Sequence, residues 1–386
     1  MSFSLSQVNN GSGFQQGSSS SGGFRSNNQR NGSSNNSNYN RFRSEKPKNT
    51  ASNSRSTGTP SSAEEGLEAY NKQALAELVE ILDETPDLGF VDTHVHFEYI
   101  LQRMFNAQLG EVAYSEKKLM DTLCFETKDK NLYERILSRM NAFVCVQCDP
   151  TSFSSLGLWR DLLEMKNLKI GVTFGLHPHN ASYYDEKMQD RINQCIAEAG
   201  DKCVAYGECG LDYHYNNSPR EQQMSCFAKQ LQNAVALSLP VVIHAREAEE
   251  DAFNIMIENL PKDWKIHVHC FTDREEFAKK LISHFPNLYI GFTGVVTYAP
   301  RGNSNHKDQN LEGVIRSLPL ERILLETDGP YMPVRLSKSV NTGKKRPIAH
   351  SGHIPLIAKG IAHIKKVSIK QVFQQCRLNT TNMYGL

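Results

Sequence analysis

Long apolar runs are missing from this chain of 386 residues. No stretch of about 18 apolar residues occurs, so the sequence predicts no membrane-spanning helix and no membrane partner. The first ten residues lack the charged and apolar regions of a secretion signal, so we expect a protein that is not secreted. The nine cysteines have no framework spacing, which favours reduced thiols in the cytoplasm or the nucleus.

A large net charge is also missing, because 43 Lys and Arg residues oppose 42 Asp and Glu residues. The charges are unevenly distributed. Residues 1–62 contain seven basic residues and one acidic residue, which leaves 36 basic and 41 acidic residues in the rest of the chain. A uniformly basic protein that coats nucleic acid is therefore excluded, and a basic tail on a mildly acidic body is predicted.

The composition predicts three regions. Ser, Asn and Gly occupy 36 of the 62 positions in residues 1–62, so this region cannot bury enough apolar surface to fold and is expected to be a disordered tail. Residues 63–89 are expected to form an N-terminal helix and a linker, and residues 90–386 a barrel domain. The apolar residues that share one face of this helix are Leu67, Tyr70, Ala74, Leu75, Leu78 and Leu82.

Strand and helix patterns alternate after residue 90. Helical patterns cover about 186–199, 219–238, 247–259, 273–284, 310–317 and 352–383. The eight apolar runs that read as strands are Phe90–Val95, Ala142–Gln147, Ile170–Gly175, Cys203–Glu208, Pro240–His244, Lys265–Cys270, Leu288–Thr293 and Arg322–Thr327. Eight such repeats predict an α/β fold, a closed (β/α)8 barrel of the TIM type. An open doubly wound sheet is the alternative, but it usually has a Gly-rich first turn, which is not found here.

Polar side chains end six of these predicted strands or follow them directly. Three His-x-His pairs occur, whereas 13 histidines placed at random in this chain would give about 0.4. Because residues i and i+2 share one face of a strand, such a pair can direct two imidazoles to one point. The six candidate ligands are His94, His96, Glu208, His244, His269 and Asp328. This number exceeds the needs of one tetrahedral ion, so two divalent ions bridged by a carboxylate are predicted, with Mg²⁺, Mn²⁺ and Zn²⁺ all possible.

Three further residues are candidates for substrate binding. His177 and His179 end the third strand and are interpreted as supporting groups or as contacts to a phosphate. Arg246 could contact a phosphate, or it could pair with Glu247 or another surface acid. Cys145 and Cys148 form a Cys-x-x-Cys pair for which buried thiols are favoured over a structural zinc site, since no second pair has suitable spacing.

Six sequence blocks resemble the signatures of the TatD family of metal-dependent nucleases. They are VDTHVH at 91–96, GLHPH at 175–179, GECGLDY at 207–213, PVVIH at 240–244, HVHCFT at 267–272 and LETDGPY at 325–331. The long Ser/Asn tail is most similar to the tailed animal members described as 3′–5′ RNA nucleases. The resemblance implies that His94, His96 and Asp328 hold one ion and that His244 and His269 hold the other, with Glu208 bridging. The chain departs from the family pattern at Asp273, where Gly is usual, at Gly329, where Ala is common, and at Asn382, where Arg is common.

The resemblance implies a metal-dependent hydrolysis of phosphodiester bonds in RNA, single-stranded DNA or both, with 3′–5′ polarity. Asp328 is the first candidate for the general base and Glu208 the second. Two alternatives stay open, an amidohydrolase-type metal hydrolase and an inactive RNA-binding scaffold. Amidohydrolases with a carbamylated lysine bridge place Lys at the end of strand four, where this chain has Glu208. A nucleic-acid strand is the expected partner, and a monomer is the expected state.

Overall fold

The barrel sheet is complete in the computed structural model, which describes residues 62–105, 116–125, 127–154, 157–165, 168–298, 310–343 and 345–386. The tail predicted for residues 1–62 lies outside the described residues except for Ser62. Eight parallel strands pair in chain order. They are β1 (Phe90–Val95), β2 (Met140–Gln147), β3 (Lys169–Phe174), β4 (Cys203–Asp212), β5 (Val241–Arg246), β6 (Ile266–Val268), β7 (Leu288–Phe292) and β8 (Ile323–Leu325).

Backbone hydrogen bonds just beyond β8 join that strand to β1 and close the cylinder. The amide of Asp328 donates to the carbonyl of His94 at 2.9 Å, and the amide of His96 donates to the carbonyl of Gly329 at 2.8 Å. A sheet closed in this way has no free edge, so the predicted barrel is confirmed and the open doubly wound sheet is wrong. The contacts that close the barrel come from residues at its carboxyl end.

Twelve α-helices lie in the described part of the chain, and none of them is both long enough and apolar enough to cross a bilayer. They are α1 (Ser62–Glu84), α2 (Phe97–Phe105), α3 (Glu116–Leu123), α4 (Lys130–Arg139), α5 (Trp159–Leu163), α6 (Glu186–Ala199), α7 (Arg220–Ala236), α8 (Glu249–Asn259), α9 (Glu275–His284), α10 (Leu311–Ser317), α11 (Ile354–Lys365) and α12 (Ile369–Tyr384).

Helices α2 to α5 were not predicted from the sequence. They are five to ten residues long and lie between β1 and β3, a part of the chain to which no helical pattern was assigned. The helical region predicted at 352–383 resolves into α11 and α12. Between them Lys366 adopts a left-handed conformation, and the Ser368 side chain caps α12 by accepting from the Gln371 amide.

The lengths of three strands determine where the polar residues lie. β4 continues four residues beyond its predicted end at Glu208, because its last residues pair with β5, with Gly210 opposite His244. β6 and β8 are shorter than predicted. His269 therefore lies in the turn directly after β6, and Asp328 lies in the segment that follows β8. All of these positions are nevertheless at the carboxyl ends of the strands, where the active sites of barrel enzymes lie.

Helix α1 packs its apolar face against the barrel. Leu78 is fully buried in the main core cluster, and the hydroxyl of Tyr70 donates to the carbonyl of Val334 at 2.8 Å. We expect Leu78→Ala to lower the free energy of unfolding by about 2–5 kcal/mol, because the deletion leaves a cavity. Urea denaturation followed by circular dichroism measures this change. Glu68→Ala, on the exposed side of the same helix, should change stability by less than about 0.5 kcal/mol. Equal stability of the two variants would show that α1 is not part of the folded unit.

Candidate metal centre

The six predicted ligand side chains meet at the carboxyl end of the barrel. They lie at or just after the carboxyl ends of five strands. All except His244, which is partly buried, are less than a tenth exposed. Burying this many ionisable groups in one place is costly unless they bind one another or a cation. The cluster is therefore a candidate metal centre on physical grounds alone.

Glu208 lies between two sets of imidazoles. Its Oε2 atom is 3.4 Å from His94 Nε2 and 3.6 Å from His96 Nε2. Its Oε1 atom is 2.9 Å from His244 Nδ1 and 2.8 Å from His269 Nε2. Each carboxylate oxygen thus has its own pair of imidazole nitrogens. This is the arrangement needed of a carboxylate that bridges two cations.

The first set consists of His94, His96 and Asp328, which together could hold one metal ion. The Nε2 atoms of His94 and His96 are 3.3 Å apart, and Asp328 Oδ1 is 3.3 Å from His96 Nε2 and 3.8 Å from His94 Nε2. His94 and His96 have the i, i+2 spacing of a strand, which explains why both rings point the same way. Two nitrogens and one oxygen suit Zn²⁺ or Mn²⁺ and are also accepted by Mg²⁺.

The second set is centred on His244, whose Nδ1 atom is 3.0 Å from His269 Nε2. His177 joins this set, since its Nε2 atom is 3.4 Å from Glu208 Oε1, and His177, Glu208 and His244 could together hold a cation. His179 lies farther out and has its Nε2 atom 3.0 Å from Asp212 Oδ2. The histidine pair predicted at the end of the third strand therefore does border the site.

The charges of the cluster are strongly coupled. Burial by itself raises the pKa of Glu208, but the nearby His269 and His177 and hydrogen bonds from the imidazoles hold that pKa well below its usual range. Burial, followed by repulsion from His269, lowers the pKa of His94 to about 3. Burial opposes protonation of His244 too, but hydrogen bonds to Asp212 and Glu208 outweigh it and raise the pKa of that imidazole to about 10.

Asp212 borders the site, although it was not among the predicted site residues. Its Oδ2 atom is 3.1 Å from His244 Nε2, on the opposite side of the ring from Glu208. Asp212 is buried, and its amide donates to Gln223 Oε1 at 2.8 Å. A carboxylate bound to the outer nitrogen of a ligand histidine fixes the orientation of the ring. The usable signal was its spacing of four residues from Glu208, which puts both on one face of β4.

Two other buried acids bind residues next to the cluster. Asp92 accepts from the amides of His94 and Thr327 at 3.2 and 3.0 Å, and from Ser351 Oγ at 2.7 Å. It thereby links β1 to the turn after β8. Glu326 lies 3.0 Å from His267 Nε2, and burial raises its pKa to about 8. The third His-x-His pair is therefore divided, with one histidine in the cluster and His267 in the core.

The two cysteines of the Cys-x-x-Cys pair have different surroundings. Cys148 Sγ is 3.5 Å from Glu208 Oε2, and with Glu208 and His96 it could hold a cation. Cys145 does not belong to that group of described residues. Its sulfur lies 3.2 Å from Gln147 Nε2 instead.

Arg246, the third predicted substrate contact, is partly buried at the end of β5, with its guanidinium carbon 5.1 Å from the centre of the Tyr215 ring. Glu247, which was its possible partner, instead accepts from His214 Nδ1 at 2.6 Å. Arg246 is thus positioned by an aromatic ring at the margin of the cluster.

Comparison with known proteins identifies the family of this chain. The family profile described as TatD related DNase matches residues 91–385. The chain belongs to the TatD family. It is 34% identical over 308 residues to the human 3′–5′ RNA nuclease TATDN2, a match that covers 79% of this chain and 36% of the human protein. The chain thus spans about a third of the length of that relative.

Other TatD proteins are similar over the barrel. The Escherichia coli 3′–5′ ssDNA/RNA exonuclease TatD is 31% identical over 215 residues, which are 55% of this chain and 77% of the bacterial protein. The crystal structure of a TatD family hydrolase from Entamoeba histolytica superposes with a TM-score of 0.61 at 21% identity, covering 77% of this chain and 98% of that one. The family predicted from the sequence blocks is confirmed.

Two departures from the TatD pattern have a structural context. At Gly329 a Cβ atom would lie 2.6 Å from the carbonyl oxygen of Ala349, so this chain has no room for the common alanine. Asp273 is buried, and burial, followed by the charge of Glu249, raises its pKa to about 7. A buried carboxyl with that pKa carries much less negative charge at neutral pH than an exposed one.

Proposed function

We propose that this TatD protein hydrolyses phosphodiester bonds of RNA, single-stranded DNA or both, from the 3′ end, with divalent cations. The observation that carries the proposal is the position of Glu208, with one oxygen facing the His94 set and the other facing the His244 set. The printed activities of the human and bacterial relatives support the same reaction. Glu208 also stands where a carbamylated lysine would be needed in an amidohydrolase, which argues against that alternative.

The proposed ligands follow the two oxygens of Glu208. His94, His96 and Asp328 would hold one ion, and His244 and His269 the other, with Glu208 shared between them. The donor set fits divalent cations, because these imidazole and carboxylate atoms lie 2.8–3.8 Å from one another and converge on one pocket. Mg²⁺ and Mn²⁺ are the proposed ions, and Zn²⁺ is the third candidate.

The side chains divide the chemistry among them. Bound divalent cations supply positive charge for the phosphate oxygens and acidify the attacking water. Asp328 is the proposed base that takes a proton from this water, because its side chain is 11% exposed whereas that of Glu208 is 2% exposed. His177, His179 and Arg246 border the pocket and are proposed to hold the phosphate in position.

Digestion of end-labelled strands tests the proposal. RNA and DNA strands, each labelled at the 5′ or the 3′ end, are incubated with the purified full chain and with Mg²⁺, Mn²⁺ or Zn²⁺ in turn. We expect shortening from the 3′ end that EDTA abolishes. Intact strands with every metal, combined with turnover of amide or lactone substrates, would favour the amidohydrolase. Strand binding without any turnover would favour the scaffold.

The division into a tail (1–62), a helix with linker (63–89) and a barrel (90–386) is also a proposal. We expect removal of residues 1–62 to weaken RNA binding and to reduce its dependence on salt, because the tail contains seven basic residues. Single-turnover cleavage of a short oligonucleotide should change little. Fluorescence anisotropy at several salt concentrations provides the measurement, and an unchanged affinity and salt slope would exclude this role.

The proposed location is the cytoplasm or the nucleus, and the proposed state is a monomer. All nine cysteines lie in described residues and are free thiols. Free thiols are the usual form in these reducing compartments.

Metal binding is expected to release protons. His244 carries a proton at neutral pH in the metal-free protein, since its pKa is raised to about 10, and a metal requires the neutral ring. Raising the pH therefore removes a competing proton, and Mn²⁺ affinity should increase up to about tenfold for each pH unit between pH 6 and pH 8. Calorimetry in buffers of different ionisation enthalpy measures both effects. An affinity that is the same at pH 6 and pH 8 would show that no proton is displaced from His244 when the ion binds.

A further inference from the structure

Two tyrosine–arginine pairs lie next to the metal centre, one beside each half of it. The ring of Tyr331 is 6.3 Å, centre to centre, from the ring of His96, which faces the Oε2 atom of Glu208. The ring of Tyr215 is 5.5 Å from that of His179. The His179 ring is in turn 4.3 Å from the ring of His177, which faces the Oε1 atom of Glu208. The two aromatic rings therefore flank opposite halves of the proposed cation pocket.

The first pair is held by the turn after β8. The amide of Tyr331 donates to the carbonyl of Asp328 at 2.9 Å, which fixes the tyrosine to a proposed metal ligand. The guanidinium carbon of Arg103 lies 4.3 Å from the centre of the ring, and Arg103 Nη1 donates to the carbonyl of Pro330 at 3.4 Å. Tyr331 is 37% exposed, and Arg103 is exposed too. An aromatic surface with a positive charge thus lies open to solvent beside the His96 half of the site.

The second pair is held by the ends of β4 and β5. The amide of Tyr215 donates to Asp212 Oδ1 at 3.2 Å, so this tyrosine is fixed to the acid that orients His244. The guanidinium group of Arg246 lies over the Tyr215 ring. Arg246 follows His244 by two residues on β5, so the two side chains are on the same face of the strand. Both members of the pair are partly exposed.

Arginine–tyrosine pairs are common in proteins and by themselves indicate no ligand. Other cation–aromatic pairs occur in this chain, for example Arg160 with Trp159 and Lys280 with Phe253. The two pairs at the metal centre share two additional features. Each has a ring against a site histidine, and each has its tyrosine amide bound to an acidic residue of the site.

We propose that the two pairs are stacking platforms for unpaired nucleobases on either side of the phosphate that is cleaved, an inference that rests on the proposed function. A tyrosine ring and a guanidinium plane both stack on bases, and such stacking tolerates any base because each has a π-face. The arginines also attract the flanking phosphates. A base inside a duplex already stacks on its neighbours, so the platforms select single strands and frayed ends.

Equilibrium binding to hydrolysis-resistant strands tests the stacking separately from cleavage. The probe is a fluorescent single-stranded oligonucleotide with phosphorothioate linkages, and a second probe lacks the bases of its two 3′-terminal nucleotides. Dissociation constants are measured by anisotropy in the presence of Mn²⁺ for the full chain and for Tyr331→Leu, Tyr331→Phe, Tyr215→Leu and Tyr215→Phe. Tyr133→Leu is the control, because Tyr133 lies on α4, which leads into the amino end of β2.

Each leucine variant should bind the complete strand about tenfold more weakly, whereas each phenylalanine variant should stay within about twofold of the parent. The parent itself should bind the probe without terminal bases weakly. On that probe, at least one leucine variant should have the same dissociation constant as the parent. Leucine variants that bind the complete strand as tightly as the parent would overturn the proposal. An equal loss on both probes would also overturn it, because it would indicate a damaged site.

The two proposals fail in different ways. If the parent binds strands with the predicted dependence on tyrosine but cleaves none, the platforms stand and the nuclease proposal fails. If the parent cleaves strands and the leucine variants bind normally, the nuclease proposal stands and the platforms fail.

Discussion

Glu208→Gln should abolish most of the nuclease activity, with kcat/KM on labelled RNA falling by about 1000-fold. The substitution preserves the size of the side chain but replaces one oxygen by an amide group that donates hydrogen bonds. Oε1 and Oε2 of Glu208 each face imidazole nitrogens of one set. Glutamine has only one side-chain oxygen, so it cannot present an acceptor to both sets. The negative charge that two cations would share is lost at the same time.

Metal content provides a second measurement for the same variant. Equilibrium dialysis followed by elemental analysis should find fewer bound ions per chain than in the parent. Glu250→Gln is the matched control, since Glu250 is exposed and pairs with Lys280 at 2.9 Å away from the cluster. A Glu208→Gln protein that keeps its full complement of metal and works within tenfold of the parent would refute the bridging role.

Asp212→Asn should weaken binding of the second ion by about 10–100-fold, with a comparable loss of activity at limiting metal. Asp212 lies 3.1 Å from the outer nitrogen of His244 and so fixes the ring that faces Glu208. Asparagine retains the size but not the charge, which leaves the imidazole a poorer ligand. Because Asp212 acts through His244, high metal concentration should restore much of the activity.

The pH profile separates this role from a loss of packing. Asp212 is one of the two acids that raise the pKa of His244, so its neutralisation should shift the pH at which metal binds towards lower values. Asp251→Asn is the control, because Asp251 accepts from the Tyr213 hydroxyl at 2.7 Å outside the cluster. A variant with the parent profile and unchanged metal affinity would show that Asp212 does not position His244.

The periodicity of the sequence was sufficient to predict the barrel and the location of the cluster. His94 and His96 could be placed together from their spacing alone, and the strand ends supplied the rest. Asp212 was missed because its role depends on the pairing of β4 with β5, which puts Gly210 opposite His244. The predicted strand ended at Glu208, so the spacing of four residues between Glu208 and Asp212 was not used.

The tyrosines beside the cluster were missed for a related reason. Tyr331 and Tyr215 follow the ends of strands and lie in turns, where no periodic pattern indicates which way a side chain points. Arg103 reaches Tyr331 from α2, one of the short helices that the sequence did not predict. Contacts that combine turns with unpredicted helices can only be found from coordinates.

The hydrogen bonds that close the barrel join main-chain atoms of His94, His96, Asp328 and Gly329. They therefore do not depend on the side chains that are proposed to act in catalysis. Any of the three side chains can be exchanged without deleting these hydrogen bonds. Under the proposed function, we therefore expect a substitution of one of these side chains to leave a folded protein that binds a strand without cutting it. Produced alongside unsubstituted copies, such a protein would compete with them for free strand ends.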